Sequence, residues 1–335
     1  MTKYNYKISL RPLENYFFGG EQTFGDKSDN EKRNYLAFSN AYPQQTSLFG
    51  LLRYLLLENN GLLPLESHRE EANKLIGAAS FNSSKPGEVQ NFGLIENISP
   101  LFMQNENVMF RFVHGLNKMK VNFENGGDSL TQILSSNSYP QIQDYDPKKY
   151  YPDYIENAKG DLIHYHHCVF KENEQIGILK NSPKEGFFKQ NYRSLAEGFS
   201  FVFYASLKND DISFKLQDSL VFFGGEQKMF QVRVIKDPKD FPNQLYGAPE
   251  SNKTTLLSDA YIPESAMHHC NFALAEIQEF RTVIFQPNGH RYFRKSQKIN
   301  LLKRGSILFS SDKNKLHSIL DQYPNYSQLG FNHYY

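Results

Sequence analysis

The apolar, strand-like stretch Tyr6–Leu13 predicts a first β-strand. A polar, loop-like segment follows over Gly19–Ala41. Tyr42-Pro43-Gln44-Gln45-Thr46-Ser47 then leads into Leu48–Asn59, a run apolar nearly all round, closed by Gly61. Thr46 or Ser47 suits the N-cap of that helix and Gly61 its stop, and the all-round apolarity predicts burial. Strand patterns return at Phe199–Leu207, Leu216–Phe223 and Phe230–Ile235. A helix is expected over Pro263–Glu279, then a strand at Ser306–Ser310 and a helix at Asp312–Gln322. Strands mixed with few helices, without regular alternation, predict an α+β fold.

Six residues occur twice, letter for letter: Phe17-Phe18-Gly19-Gly20-Glu21-Gln22 and Phe222-Phe223-Gly224-Gly225-Glu226-Gln227. Each copy follows a strand-like stretch and carries a glycine pair, suited to positive φ or to close backbone approach. The duplication suggests two related halves. The stretch from Gln104 to Ile163 carries Gly126-Gly127, Pro140, Pro147 and Pro152 with few helical signals, and is expected to be an insertion or long binding loop.

Composition narrows the function classes. The 335 residues hold 37 Lys plus Arg against 36 Asp plus Glu, so no global preference for nucleic acid or membrane follows. Two cysteines, Cys168 and Cys270, exclude a disulfide framework and an ordinary thiolate zinc site. The N-terminus has no apolar targeting core, and the greasiest stretch, Leu48–Leu57, is interrupted by Arg53 and too short to span a bilayer. A cytoplasmic protein is expected.

Charge is informative locally. No acidic residue lies between Glu279 and Asp312, while Arg281, Arg291, Arg294, Lys295, Lys298, Lys303 and Arg304 are basic and Tyr292 and Phe293 are interleaved. Cations for phosphates beside flat faces for bases suit single-stranded nucleic acid. A second basic run, Lys180, Lys184, Lys189 and Arg193, looks like a hairpin tip. The helix start at Thr46 offers free N–H groups and hydroxyls that suit a phosphate, although a simply capped core helix explains it too. His164-Tyr165-His166-His167 and His268-His269 could serve acid–base or metal chemistry, but nothing stands at familiar metal spacing. The chain has no GxxxxGK[ST], GxSxG or strand-borne GxGxxG.

Ala41-Tyr42-Pro43-Gln44-Gln45-Thr46-Ser47-Leu48-Phe49-Gly50-Leu51-Leu52-Arg53 resembles the start of the RAMP proteins of CRISPR systems, with one extra residue between Pro43 and the hydroxyl position. Gln175-Ile176-Gly177-Ile178-Leu179-Lys180, Glu185-Gly186-Phe187-Phe188-Lys189-Gln190, Phe223-Gly224-Gly225-Glu226, Gly305-Ser306-Ile307-Leu308-Phe309 and Gly330-Phe331-Asn332 resemble the Cmr-complex RAMP subunit beside the large subunit of type III-B effectors. The resemblance runs in order along nearly the whole chain, apart from Gln104–Ile163. It implies two tandem ferredoxin-like, RRM-like βαββαβ domains with long inserted loops, divided here as 1–195 (with the insertion around 104–163) and 196–335.

It also implies a non-catalytic subunit that holds the 5′ handle of the CRISPR RNA (crRNA). The partners implied are the large polymerase/cyclase-like subunit and the backbone RAMP subunits, with no cofactor, no membrane and no homo-oligomer. RNA contacts are expected at Gly19, Gly20, Lys32, Arg33, Gln45, Thr46, Ser47, Arg53, Lys180, Lys184, Lys189, Arg193, Gly224, Gly225, Arg291, Tyr292, Arg294, Lys295, Lys303 and Arg304. The alternative is a repeat-cleaving endoribonuclease of the same superfamily, with His164, His166 and His167 as its actors. A third reading is a module whose aromatics serve subunit contacts only.

Overall fold

The strand nearest the N-terminus lies in the middle of the largest sheet. The computed structural model describes residues 4–24, 35–77, 80–115, 121–122, 141–142, 153–164, 168–179, 186–208, 213–246, 253–285, 293–310 and 312–335. In β1 (Tyr6–Pro12), Tyr6, Ile8 and Leu10 enter the main core and alternate with Lys7, Ser9 and Arg11 on the opposite face. Ile8 stands opposite Phe203 of β13 (Phe199–Leu207) on one side and Val234 of β15 (Met229–Lys236) on the other, both antiparallel.

Beyond β13 come β5 (Phe102–Asn105), β6 (Val108–Val113), β9 (Tyr154–Asn157) and β10 (Leu162–His164), and β14 (Ser219–Phe222) lies outside β15. β4 (Ile95–Ile98) pairs with the far end of β13, so β4 and β5 act as one strand broken at Ser99-Pro100-Leu101. β13 carries apolar residues on both faces, since the main core covers one and a smaller core covers part of the other. Phe201 and Phe203 join the main core, while Val202 and Tyr204 pack with Tyr4, Phe102 and Leu245 in a smaller one.

The main core is closed by α1 (Gln45–Asn59), with α2 (Arg69–Ile76) behind it. Leu48, Leu52, Leu55 and Leu56 are fully buried against Ile8, Leu10, Phe201 and Phe230. The helix differs from expectation in two ways. It begins at Gln45 with Gln44 as N-cap, so Thr46 and Ser47 lie inside the first turn. It is also not buried all round, because Ser47, Gly50 and Tyr54 form an exposed stripe at helical spacing.

Several irregular-looking stretches are strands. Within 19–41, β2 (Phe18–Phe24) and β3 (Tyr35–Asn40) build a four-stranded sheet with β11 (Phe170–Leu179) and β12 (Gly186–Leu195). Within 104–163, the ends supply β6, β9 and β10 to the main sheet, and β7 (Val121–Asn122) pairs with β8 (Gln141–Ile142). The boundary expected at 195/196 separates β1 from both strands that flank it.

The C-terminal part carries its own small sheet, β16 (Lys253–Thr255), β22 (Ile307–Phe309) and β17 (Phe272–Leu274), in the order β16-β22-β17. Thr255 exchanges two backbone hydrogen bonds with Tyr335, which adds the chain end to the free edge of β16. Between β17 and β22 run β18 (Ile277–Phe280), β19 (Val283–Phe285), β20 (Phe293–Lys295) and β21 (Ile299–Leu302), paired as β18-β21 and β19-β20. The helix expected over 263–279 is limited to α3 (Glu264–Met267). Past it, Phe272 stacks on Phe309 at 4.3 Å and its strand joins β22, so sheet pairing overrides the helical signal. α4 (Lys313–Leu320) forms as expected, with the Asp312 carboxylate accepting from the Lys315 N–H, and α5 (Pro324–Gln328) follows.

The two copies of the repeated hexapeptide touch each other. Gly225 N–H donates to the Phe17 carbonyl at 2.7 Å and the Phe18 and Phe223 rings meet at 5.4 Å. The copies differ in conformation. Gly224 has φ +83° while Gly19 and Gly20 do not enter that region.

Three parts of the chain meet at Ser99. Its N–H donates to the Tyr204 carbonyl at 2.8 Å and its Oγ accepts from the Tyr204 N–H at 2.9 Å. Its carbonyl accepts from Nε2 of fully buried Gln45 at 2.6 Å. Gly330, at φ +79°, lies so close that a Cβ there would fall 2.5 Å from the Ser99 carbonyl oxygen. Phe331 then enters the main core and Asn332 bonds the Tyr261 backbone.

A second junction joins β6 to the C-terminal part. Arg304 is buried, pairs with Asp259, and lies 4.4 Å from the Tyr42 ring centroid and 5.2 Å from that of Phe112. Nearby, His114 Nε2 stands 3.3 Å from Glu276 and 3.9 Å from Asp153, and Lys303 bonds Glu276 at 2.6 Å. The His114 hydrogen bond, helped by Lys303 and opposed by burial, lowers the Glu276 pKa to about 2. Burial alone would lower the His114 pKa, but Glu276 and Asp153 outweigh it and raise it.

Two stability predictions follow from these junctions. Gly330→Ala should cost roughly 2 kcal/mol or more, through both the left-handed backbone and the clash, whereas Gly50→Ala in the exposed helix stripe should stabilise by about 0.5–1 kcal/mol. Urea midpoints decide, and equal effects of opposite sites would refute the packing. The lowered Glu276 contributes above its ordinary 4.5 and is lost as pH falls through about 2. The raised His114 contributes below its ordinary 6.5 and is lost as pH rises through its folded value. Glu276→Gln should therefore lower Tm most between pH 4.5 and 6.5 and less at pH 9. A pH-independent Tm difference would show that the pair does not couple to folding.

Candidate nucleic-acid interface

Pro43 supplies no N–H and Gln44 is extended (φ −68°, ψ 154°), with no side-chain cap on the first turn of α1. The Ser47 and Leu48 N–H groups both reach the Gln44 carbonyl, leaving the amides of Gln45 and Thr46 ahead of the first helical bonds. Thr46 is half-buried and Ser47 exposed, so one hydroxyl and the positive end of the helix face outward. Gln45 is a correction, since its side chain is buried on Ser99 and cannot reach a ligand. Arg53 lies two turns further on, its Nη2 donating to the Gly77 carbonyl at 3.3 Å and its guanidinium over the Phe49 ring. Burial lowers its pKa, and it braces α2 instead of pointing outward as a free cation.

The glycine pairs lie beside the chain that enters this helix. Asn40 Nδ2 donates to the Gly19 carbonyl at 2.8 Å, and Gly20 backs against the Phe38 carbonyl. Gly224 and Gly225 pack on Phe17. Tyr16 donates its hydroxyl to the Ala41 carbonyl at 2.7 Å and exchanges backbone hydrogen bonds with Arg193. Thus Gly19, Gly20, Gly224, Gly225 and Arg193 gather around the segment that leads to Thr46 and Ser47.

The basic stripes are weaker than they read in sequence. Register places acids across from them: Lys189 pairs with Glu174 at 2.5 Å and Arg193 with Glu172 at 2.6 Å across β11 and β12. Lys298 pairs with Glu279, Lys303 with Glu276 and Arg304 with Asp259. Arg304 is a second correction, because burial removes it from any surface cluster. Arg281 and Lys295 remain exposed at the β19–β20 hairpin. Lys32, Arg33, Lys180, Lys184, Arg291, Tyr292, His166, His167 and the Arg294 side chain lie outside the described residues.

His164 ends β10 with its ring against Tyr154 at 5.5 Å, and no group of three metal-ligating side chains occurs among the described residues. Among those residues no helix is long and apolar enough to cross a membrane. Sequence reading missed Arg11 and Arg233, which share the outer face of the main sheet. The polar positions alternating with Tyr6, Ile8 and Leu10 were the available signal.

The fold has known counterparts. A chain of the type III-B Cmr-beta complex bound to cognate target RNA superposes with TM-score 0.51 at 15% identity, covering 97% of this chain and 95% of that one. The same complex with AMPPnP gives 0.49 at 15% identity over 97% and 94%. A chain of the Csm3-Csm4 subcomplex of the type III-A interference complex gives 0.37 at 12% identity over 91% and 92%. No curated protein matches the sequence. The family model described as "CRISPR-associated protein (Cas_Cmr3)" matches residues 8–335, and with the match spanning nearly all of its length this chain belongs to that family.

Proposed function

We propose that the chain is a non-catalytic crRNA-binding subunit of a type III-B CRISPR (Cmr) effector complex. It holds the 5′ handle of the crRNA and bridges the large polymerase/cyclase-like subunit to the backbone RAMP subunits. The observation that carries this reading is the uncapped start of α1, whose Thr46 and Ser47 follow the segment that packs on Gly19 and Gly20 through Phe38 and Asn40. Unpaired amides at a helix start take phosphate oxygens, and nearby glycines let the ribose-phosphate chain approach the backbone. Phosphate contacts of this kind fix register, while splayed bases are read by stacking and by their edges. No bond-breaking step is assigned to the chain.

Two ferredoxin-like units are part of the proposal. In the first, β1 and β5 run parallel with β13 between them and are joined through α1 and α2, while β15 flanks β1 on its other side. In the second, the strand at Tyr335, β16, β22 and β17 repeat that order, with α3 and α4 as the crossovers. This reading moves the boundary from 195/196 to the segment between 246 and 253.

The test is co-purification of the complex from cells that supply its other subunits and guide RNA, followed by sequencing of the bound RNA. Thr46→Glu with Ser47→Glu should leave the α1 start at least as stable, since acids suit a helix N-terminus, yet repel phosphate. Recovered guide RNA should fall by about tenfold, the loss of one to two charge-assisted contacts. Unchanged recovery of RNA with a common 5′ handle would remove the helix start from the site. Metal-independent cleavage of repeat RNA by the purified chain, lost in His164→Ala, His166→Ala and His167→Ala variants, would replace the scaffold with an endoribonuclease.

A further inference from the structure

The outer face of the main sheet, turned away from α1, is only partly covered. Tyr4, Phe102, Tyr204 and Phe241 cover one end of it. The other end is an open groove of about 350 Å³ across β5, β13, β1 and β15. Register places Ser9 opposite Arg233 and Arg11 opposite Gln231, so the two arginines are diagonal neighbours on one face. Diagonal neighbours of this kind are about 7–8 Å apart, within reach of two successive phosphates of an extended strand.

Both arginines are exposed, and neither has an ion-pair or hydrogen-bond partner among the described residues. That sets them apart from Lys7, Lys189, Arg193, Lys228, Lys298 and Lys303, each held by a carboxylate. Asp218, which accepts from the Val234 N–H at 2.8 Å, and Glu106 in the β5–β6 turn also line the groove, but neither forms an ion pair with either arginine among the described residues. The groove also presents Ser200 of β13, Gln104 of β5 and, across from Arg11, Gln231 of β15, side chains of types that donate and accept. On the edge strand Leu220 and Phe222 are 62% and 64% exposed, with Met229 across from Phe222.

We propose that this face binds a short single-stranded RNA segment, separate from the α1 start. Arg11 and Arg233 take neighbouring phosphates, Ser200 and the two glutamines face ribose or base edges, and Phe222 provides a stacking surface. A groove of this volume suits one or two nucleotides, and cations beside an exposed ring are the combination that single strands use. An acidic protein segment would also meet the arginines, but the hydrogen-bonding side chains of the groove suit sugar and base edges better. The inference does not rest on the handle reading, because it uses another surface.

The experiment is photocrosslinking of the full-length chain to a short oligouridylate containing 4-thiouridine, with peptide mapping and affinity measured over a salt series. Crosslinks should fall within 219–236, near Phe222 and Met229. Arg11→Gln with Arg233→Gln should weaken binding by about tenfold and flatten the logarithmic salt slope by about 1.4, two lost phosphates at roughly 0.7 each. Gln231→Lys should tighten binding, so a poorly folded double variant does not leave the idea without a test. Crosslinks confined to the α1 start would sink this inference and leave the handle reading standing. Crosslinks on the sheet, together with normal handle RNA loss in the α1 variants, would support both. A double variant that loses a protein partner while its RNA affinity stays unchanged would make the face a protein-docking surface and overturn the proposal.

Discussion

The buried hydrogen bond from Gln45 to the Ser99 carbonyl is the contact on which the rest of the architecture depends. A buried amide is costly unless it is bonded, so Gln45 fixes where α1 starts relative to the sheet. Ser99 is available because Pro100 interrupts the strand there, and its own Oγ and N–H still hold β13 through Tyr204. Gly330 closes the same spot from the C-terminal end, and Phe331 follows it into the main core among Phe81, Phe280 and Tyr326. Sheet, helix and chain end are thereby locked in one place, and the exposed turn carrying Thr46 and Ser47 inherits that rigidity.

Electrostatics at the candidate interface follow from register more than from composition. The run from Arg281 to Arg304 contains no acid, yet folding it into hairpins brings Glu276, Glu279 and Asp259 onto its cations. The half-exposed pairs Lys298–Glu279 and Lys303–Glu276 contribute little to stability, but they reduce the field available to a polyanion. Free guanidinium groups on a sheet face count for more toward recognition than longer stripes of paired ones.

The elements legible in the sequence were those with a sustained apolar pattern and a clear stop. β1, β13, β15, α1 and α4 were each expected close to where they lie. Of the second sheet only the β11–β12 hairpin was expected, because β3 buries just the small residues Ala37 and Ser39 while Leu36 and Phe38 lie on its open face, which hides the period of two. α3 was overextended because the helical signal after Pro263 gave no sign that Phe272 would stack on Phe309 of a distant strand. Near the candidate site, the α1 helix and the glycine pairs could be read from local chemistry, although the N-cap is Gln44 and not Thr46 or Ser47. The burial of Gln45 and Arg304 could not, since their partners Ser99, Asp259 and Phe112 are remote in the chain. The contact between the two copies of the hexapeptide was equally invisible, since they lie some two hundred residues apart in the chain.

The central position of β1 has a consequence for synthesis. Both strands that flank it, β13 and β15, emerge from the ribosome only after some two hundred further residues, with Ile8 waiting for Phe203 and then Val234. Until then the apolar face of the first strand has neither neighbour and α1 has no sheet to cover. Long-range pairing of this sort is slow and leaves sticky surface open to wrong partners. Fragments ending before residue 236 lack the strand that completes the core, so an interrupted chain is a target for chaperones and proteases, and Gly330-Phe331-Asn332 act as a late latch on a core begun at residue 6.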